Sequence, residues 1–244
     1  MSPGRRRSRR WLPCAGAAAF LSLLLFQSPG CRETGTGPAS RSQQTVAGLV
    51  FAAGDTLIFD GWDLDPYNYT VAASHTTPLW RVLAVDDAYA AAGSVTSIIE
   101  TPPPGALPPK SDTLRFRFLP SGDIYRFGFI AQVLARREGI RLAPAWDRVA
   151  AFSLPTNAMW VVGTVDSAGQ DTLRGTVVGD QGYFTAVVNG VHTVVHGYEV
   201  SLISLDIDFT LVVSDSPPAI LVEQELSTPV ANGYLRTLAS LTKH

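Results

Sequence analysis

One short tract narrows what this chain can fold into. Tyr183-Phe184-Thr185-Ala186-Val187-Val188 and Val191-His192-Thr193-Val194-Val195-His196 are two apolar, β-branched runs separated only by Asn189-Gly190. That pair tolerates the positive φ angles of a type I′ turn, whose twist matches two antiparallel strands. A two-residue loop also sets the register. Val188 faces Val191, and Phe184, Ala186, Val188, Val191, Thr193 and Val195 share one side, the expected core side.

The rest of the chain from Thr45 onward repeats the theme. A second hairpin is expected where Leu114, Phe116 and Phe118 alternate with Arg115 and Arg117 and Pro120-Ser121-Gly122-Asp123 turns the chain into Ile124 to Leu134. Further strands are expected at Thr56 to Phe59, Tyr67 to Ala72, Trp80 to Val85, Ser94 to Ile99, Val149 to Ser153, Met159 to Val165, Thr172 to Val178, Glu199 to Leu205, Phe209 to Val213 and Ile220 to Leu226. Short helices are considered only at Phe129 to Arg137 and near Asp86 to Ala92. The stretch Thr101 to Lys110 (TPPPGALPPK) cannot supply ladder donors at its prolines and reads as a surface connector. Strands following one another without intervening helices predict an all-β domain over residues 45–244: an antiparallel curved sheet forming a half-barrel or barrel, with a β-sandwich as the alternative.

Hydrophobic residues make up 46% of the chain and charged residues 16%, enough apolar material to build a core. The net charge of −2 conceals an asymmetry. Five of the 19 basic residues are Arg5, Arg6, Arg7, Arg9 and Arg10, ahead of the first acid, Glu33. The remainder carries 14 basic against 21 acidic residues, and an acidic body lacks the phosphate contacts on which nucleic-acid affinity rests. Both cysteines, Cys14 and Cys31, precede the body, so neither a disulfide nor a thiolate metal site is expected inside it.

Residues 1–30 carry the three parts of a secretory signal peptide. The arginines precede an apolar stretch from Ala15 to Phe26, and Ser28-Pro29-Gly30 supplies a small-residue exit. Twelve helical residues reach roughly 18 Å, short of the approximately 30 Å hydrocarbon core of a bilayer. Gly30-Cys31 resembles the lipobox of bacterial lipoproteins, in which this cysteine is acylated and becomes the new N-terminus. Ser28 and Pro29 depart from the aliphatic and small residues usual in that family. Ser8-Arg9-Arg10-Trp11-Leu12 also resembles a twin-arginine export signal, with Pro13 as a departure. The lipobox resemblance implies lipidation at Cys31, a membrane partner reached through an N-terminal acyl anchor, and a place in the bacterial cell envelope. Residues 31–44 (CRETGTGPASRSQQ), lacking apolar periodicity, read as a flexible tether.

No catalytic signature emerges. The chain has no Gly-x-Ser-x-Gly elbow, no His-Glu-x-x-His pair, no phosphate-binding Gly-Lys-Ser/Thr and no dinucleotide fingerprint, and no cofactor is expected. Of the histidines His75, His192, His196 and His244, His192 and His196 share a strand face but stand about 13 Å apart, too far for one metal. Asp60, Asp63, Asp65 and Asn68 form the densest oxygen cluster, a candidate calcium loop that lacks the spacing of an EF-hand and reads better as a turn. Trp62, Trp80, Trp146 and Trp160, with Tyr67 and Tyr69, are either core residues or the lining of an apolar pocket.

The rhythm Ala145-Trp146-Asp147-Arg148-Val149, Met159-Trp160-Val161-Val162-Gly163, Phe209 to Ser214 and Leu221 to Glu225 resembles that of LolA/LppX-like half-barrel envelope proteins. That resemblance implies a sheet cupping a lipid or other apolar ligand. The expectation is a non-enzymatic envelope protein binding an apolar ligand or another envelope component, or else a structural or protein-interaction module.

Overall fold

A computed structural model describes residues 49–86, 95–101, 112–166, 168–216, 218–228 and 232–244. The leader with Cys31, the tether and most of the proline-rich stretch lie outside the described residues. Within them the strands are β1 (Thr56–Asp63), β2 (Leu79–Asp86), β3 (Val95–Thr101), β4 (Asp112–Phe118), β5 (Ile124–Phe127), β6 (Trp146–Ala150), β7 (Met159–Thr164), β8 (Thr172–Val188), β9 (Val191–Ile203), β10 (Asp208–Asp215), β11 (Pro218–Glu225) and β12 (Tyr234–Thr242), with helix α1 (Phe129–Glu138) between β5 and β6.

All twelve strands join one sheet in the order β6-β5-β4-β3-β2-β1-β12-β11-β10-β9-β8-β7. Every neighbouring pair in that order runs antiparallel, and β12 also pairs with β8 in parallel, closing β8 to β12 into a partial ring. This is the expected curved antiparallel sheet, one continuous ladder of the half-barrel or barrel kind. Its two edge strands approach each other: Trp160 Nε1 on β7 donates to the Arg148 carbonyl on β6 at 2.9 Å. Bringing two edges together protects both from adventitious pairing.

Side-chain alternation explains which face turns inward. Leu114, Phe116 and Phe118 on β4 are buried, while the Arg117 guanidinium on the other face sits 4.0 Å from the centre of the Trp146 ring. Leu57 and Phe59 on β1, Trp80 and Val82 on β2 and Ile98 on β3 continue the layer. Helix α1 adds Phe129, Ile130, Val133 and Leu134 to the same core, with Phe129 edge-on to Phe209 at 5.2 Å. Fully burying side chains of this size stabilises by about 1.5–3 kcal/mol each. The helix starts where the Asp147 carboxylate accepts the Ile130 N–H at 2.9 Å, and it stops at Gly139 in the left-handed conformation.

The Asn189-Gly190 hairpin forms in the expected register, from Val188 opposite Val191 to Tyr183 opposite His196. Ala186 and Val195 are buried on the expected side, whereas Val191, near the tip, is exposed. Several boundaries need correction. Thr172 to Val178 and Tyr183 to Val188 are one strand, β8, and the two runs opposite them are likewise one strand, β9, because bulges rather than turns interrupt the ladder. The Ile124 run leaves the sheet at Phe127 and becomes α1, the short helix considered at Phe129 to Arg137. The strand expected at Tyr67 to Ala72 does not form. Asp65 Oδ1 accepts the N–H groups of both Tyr67 and Tyr69, Asn68 adopts φ 66°, and Ala72–Ser74 is a 3-10 turn. Strand β12 was not anticipated at all.

Candidate functional site

β12 sits where the sheet forks. One edge pairs with β1 from Tyr234 to Thr242; the other pairs with β11 as far as Thr237 and then with β8 at Ser240 and Leu241. Leu238 and Ala239 have no register partner on that second edge. Ala239 has none on the β1 side either, because Ile58 faces Ser240 and Phe59 faces Leu238. A second bulge leaves Leu221 of β11 unmatched between the pairs Val212–Val222 and Val213–Ile220. On β8 the register against β9 slips past Val178 and Gln181. The physical reason is that β8 begins beside β7 and must bend to reach β12, and each extra residue bends a strand and sharpens its twist.

Between the diverging strands lies a cavity of about 320 Å³, bounded by Phe184 to Val187, His192, Leu221, Thr237, Leu238, Ala239 and Asp60. That is the lower end of the volumes used to hold small ligands. Ala186, Leu221 and Leu238 are buried, and Phe184 packs against the core with them. Phe184 lies over Gly197: a Cβ there would stand 2.5 Å from its ring and 2.8 Å from Val212. The remaining wall sets Thr185, Thr237, His192 and Asp60 beside Val187 and Ala239. Asp60 Oδ1 pairs with His75 Nε2 at 3.0 Å, while His192 has no polar partner among the described residues. An apolar floor with a few hydrogen-bonding groups suits a ligand that buries one greasy group and keeps a polar one near the surface.

The outer face of the same hairpin carries His196, whose Nε2 stands 2.7 Å from Asp180 Oδ1 and whose ring packs between Tyr183 and Tyr198. The Gly182 N–H and His196 hold the Asp180 carboxyl below its ordinary value, against a smaller opposing effect of burial.

A second concentration of charge lies inside the sheet. Glu223 on β11 accepts from Arg126 Nη1 at 2.9 Å and from the Tyr234 hydroxyl at 3.2 Å, with Arg236 Nη1 3.5 Å from its other oxygen. Arg236 also donates to both oxygens of Glu100, which takes a further bond from Trp80 Nε1. Arg126 reaches Gln132 on α1, and Arg136 on α1 pairs with Glu225 at 2.7 Å. Burial alone would raise the Glu223 carboxyl, but Arg126 and Arg236 outweigh it and hold it low. Burial and the neighbouring Glu223 push the Tyr234 hydroxyl well up. The free space here is about 10 Å³, room for about one water at most, so this network is a brace rather than a binding site.

The six aromatics considered for a pocket do not converge. Trp80 is buried against Phe59 and Phe116; Trp160 lies flat over Gly175, where a Cβ would overlap its ring; Trp146 sits between Arg117 and Phe127; Trp62 packs on His75. Tyr67 and Tyr69 are 80% and 73% exposed on their turn. None of the six lines the fork. In the oxygen cluster, Asp65 closes its turn, Asn68 Oδ1 accepts the Ser227 N–H at 2.6 Å and Asp60 faces His75. Among the described residues no three His, Cys, Asp or Glu side chains converge as a metal centre requires. Sequence reasoning missed Leu221, Thr237, Leu238 and Ala239, because a fork made by bulges leaves no local signature. Phe184 and Ala186 lie on the face expected to be the core, and Asp60 and His192 stand out in the sequence only as candidate metal ligands.

No family model and no curated protein matches the chain. Two solved structures are similar in shape. One is a candidate lipoprotein from Parabacteroides distasonis, with a TM-score of 0.41 and 7% identity. The other is a candidate exported protein with a YmcC-like fold from Bacteroides fragilis, with a TM-score of 0.38 and 10% identity. Each alignment covers 81% of this chain and all of the other, and at these scores neither bears on what the chain does.

Proposed function

We propose that this chain is an exported, non-enzymatic protein of the bacterial cell envelope, moored by an acyl group on Cys31, whose β domain binds an apolar ligand or envelope component at the fork of β12. The observation that carries the binding role is the 320 Å³ cavity, whose apolar floor of Ala186, Leu221 and Leu238 meets the polar groups of Thr185, Thr237, His192 and Asp60. Its location in the envelope rests on the sequence: the arginine-led apolar stretch ending in Gly30-Cys31, and an acidic body that anionic membranes would repel without an anchor.

Two measurements test the two halves. Cells expressing the full chain and fed an alkyne fatty acid should label the protein, and Cys31→Ala should abolish the label; an unlabelled wild type rules out the anchor. Detergent-free purification followed by extraction and mass spectrometry should reveal a co-purifying apolar molecule that is lost when Ala186→Phe fills the cavity. An empty cavity that takes up no apolar probe rules out the binding role.

A further inference from the structure

The hairpin that walls the fork also presents an edge that no other described strand pairs with along its whole length. The Asn189 N–H donates to the Leu241 carbonyl at 2.9 Å, which shows that this arm of β8 sends the backbone groups of its odd-numbered residues toward β12 and those of its even-numbered residues toward β9. Val187 meets Ser240 on that side. Tyr183 and Thr185 point the same way, but no described strand pairs with them there, because β12 has bent away and β7 stops opposite Thr176. Elsewhere this edge is blunted: Val178 and Gln181 are bulge residues, and Gly179 and Gly182 have φ 126° and 88°. The stretch free of bulges is the one beside the cavity. Tyr183 and Thr185 are both exposed.

A strand edge left unpaired by the described strands, next to a pocket, matches one class of occupant better than a featureless apolar molecule. A peptide in extended conformation offers backbone donors and acceptors at the same two-residue spacing, and its alternate side chains point into the wall. We propose that the fork captures an extended peptide segment of a partner protein as a short added strand. Its backbone bonds to Thr185 on β8, and one apolar side chain rests on Phe184, Leu221 and Leu238. This deepens the proposed binding role by naming the chemistry of the envelope component.

The test uses the full-length protein and acetylated, amidated, fluorescein-labelled pentapeptides alternating Thr with Val, Leu or Phe, with decanoate as the apolar comparison. The peptides should bind saturably and slow amide exchange over residues 183–187. N-methylating the set of alternate amides that faces β8 should weaken binding about tenfold or more, while methylating the opposite set should not. Thr185→Pro removes one edge donor without touching the ladder to β9 and should abolish peptide binding. If Thr185→Pro fails to fold, the N-methylated series decides. Decanoate binding without peptide binding, or equal tolerance of both methylated sets, overturns the peptide assignment and leaves the cavity reading standing. Binding of neither probe overturns both.

Discussion

Arg126 on β5 and Glu223 on β11 lie 97 residues apart in the chain, yet Nη1 and Oε1 meet at 2.9 Å inside the sheet, where Glu223 is only 3% exposed. The two strands are well separated in the sheet order, so this bond crosses the concave side rather than running along a ladder. It fastens the β1 to β5 half of the sheet to the β8 to β12 half.

Removing Arg126 leaves the buried Glu223 carboxylate with only the Tyr234 hydroxyl at 3.2 Å and Arg236 at 3.5 Å. Arg126→Ala should cost about 3–5 kcal/mol of folding stability. Substituting Arg126 by Met together with Glu223 by Leu should recover much of that loss. Urea midpoints of the two variants check this, and equal midpoints for Arg126→Ala and the wild type would remove the brace from the account.

Asp55 makes the stability depend on acid. It is fully buried and accepts from the Ala52 and His244 N–H groups at 2.9 Å while pairing with Lys243. Burial opposes its charge, but Lys243 and the two amides prevail and hold its carboxyl below the ordinary value. A carboxylate lowered by folding stabilises fully above its unfolded value, about 3.9, and this contribution is lost as pH falls through the folded value. Glu223, also lowered, acts in the same direction. Asp147, Glu199 and Asp208, raised by burial, act in the opposite direction, so the contribution of Asp55 is read by difference: between neutral pH and pH 3 the wild type should lose stability relative to Asp55→Asn.

Gly197 controls the shape of the fork. Its missing side chain makes room for Phe184 and Val212. Gly197→Val should destabilise by about 1–3 kcal/mol through overpacking and should displace Phe184. Loss of uptake of an apolar fluorescent probe in a variant that still gives a sheet-type circular dichroism spectrum checks it.

One indole bonds the two sheet edges to each other. Trp160→Phe keeps the ring but removes the donor to the Arg148 carbonyl, and it should cost roughly 1 kcal/mol while speeding amide exchange in β6 and β7. Exchange measured by mass spectrometry would show whether the edges separate.

Local chemistry was enough to read much of the fold. Asn189-Gly190 dictated a hairpin and its register because two residues with positive φ angles permit few other turns, and the alternation of Leu114, Phe116 and Phe118 with Arg115 and Arg117 revealed an inner and an outer face. The failures also have local causes. Tyr67 to Ala72 looks like a strand by composition, but the Asp65 side chain captures its amides first. Ala239-Ser240-Leu241 carries no turn signal or charge that distinguishes it from any other edge, so nothing nearby announces β12 as the strand shared by β1, β11 and β8.

The amino-acid order by itself determined an all-β body and its best hairpin, since these depend on turn geometry and two-residue periodicity. Tertiary structure alone decided the fork, its cavity and the Arg126–Glu223 brace. Each requires groups tens of residues apart to meet, and only the closure of a curved, bulged sheet brings them together.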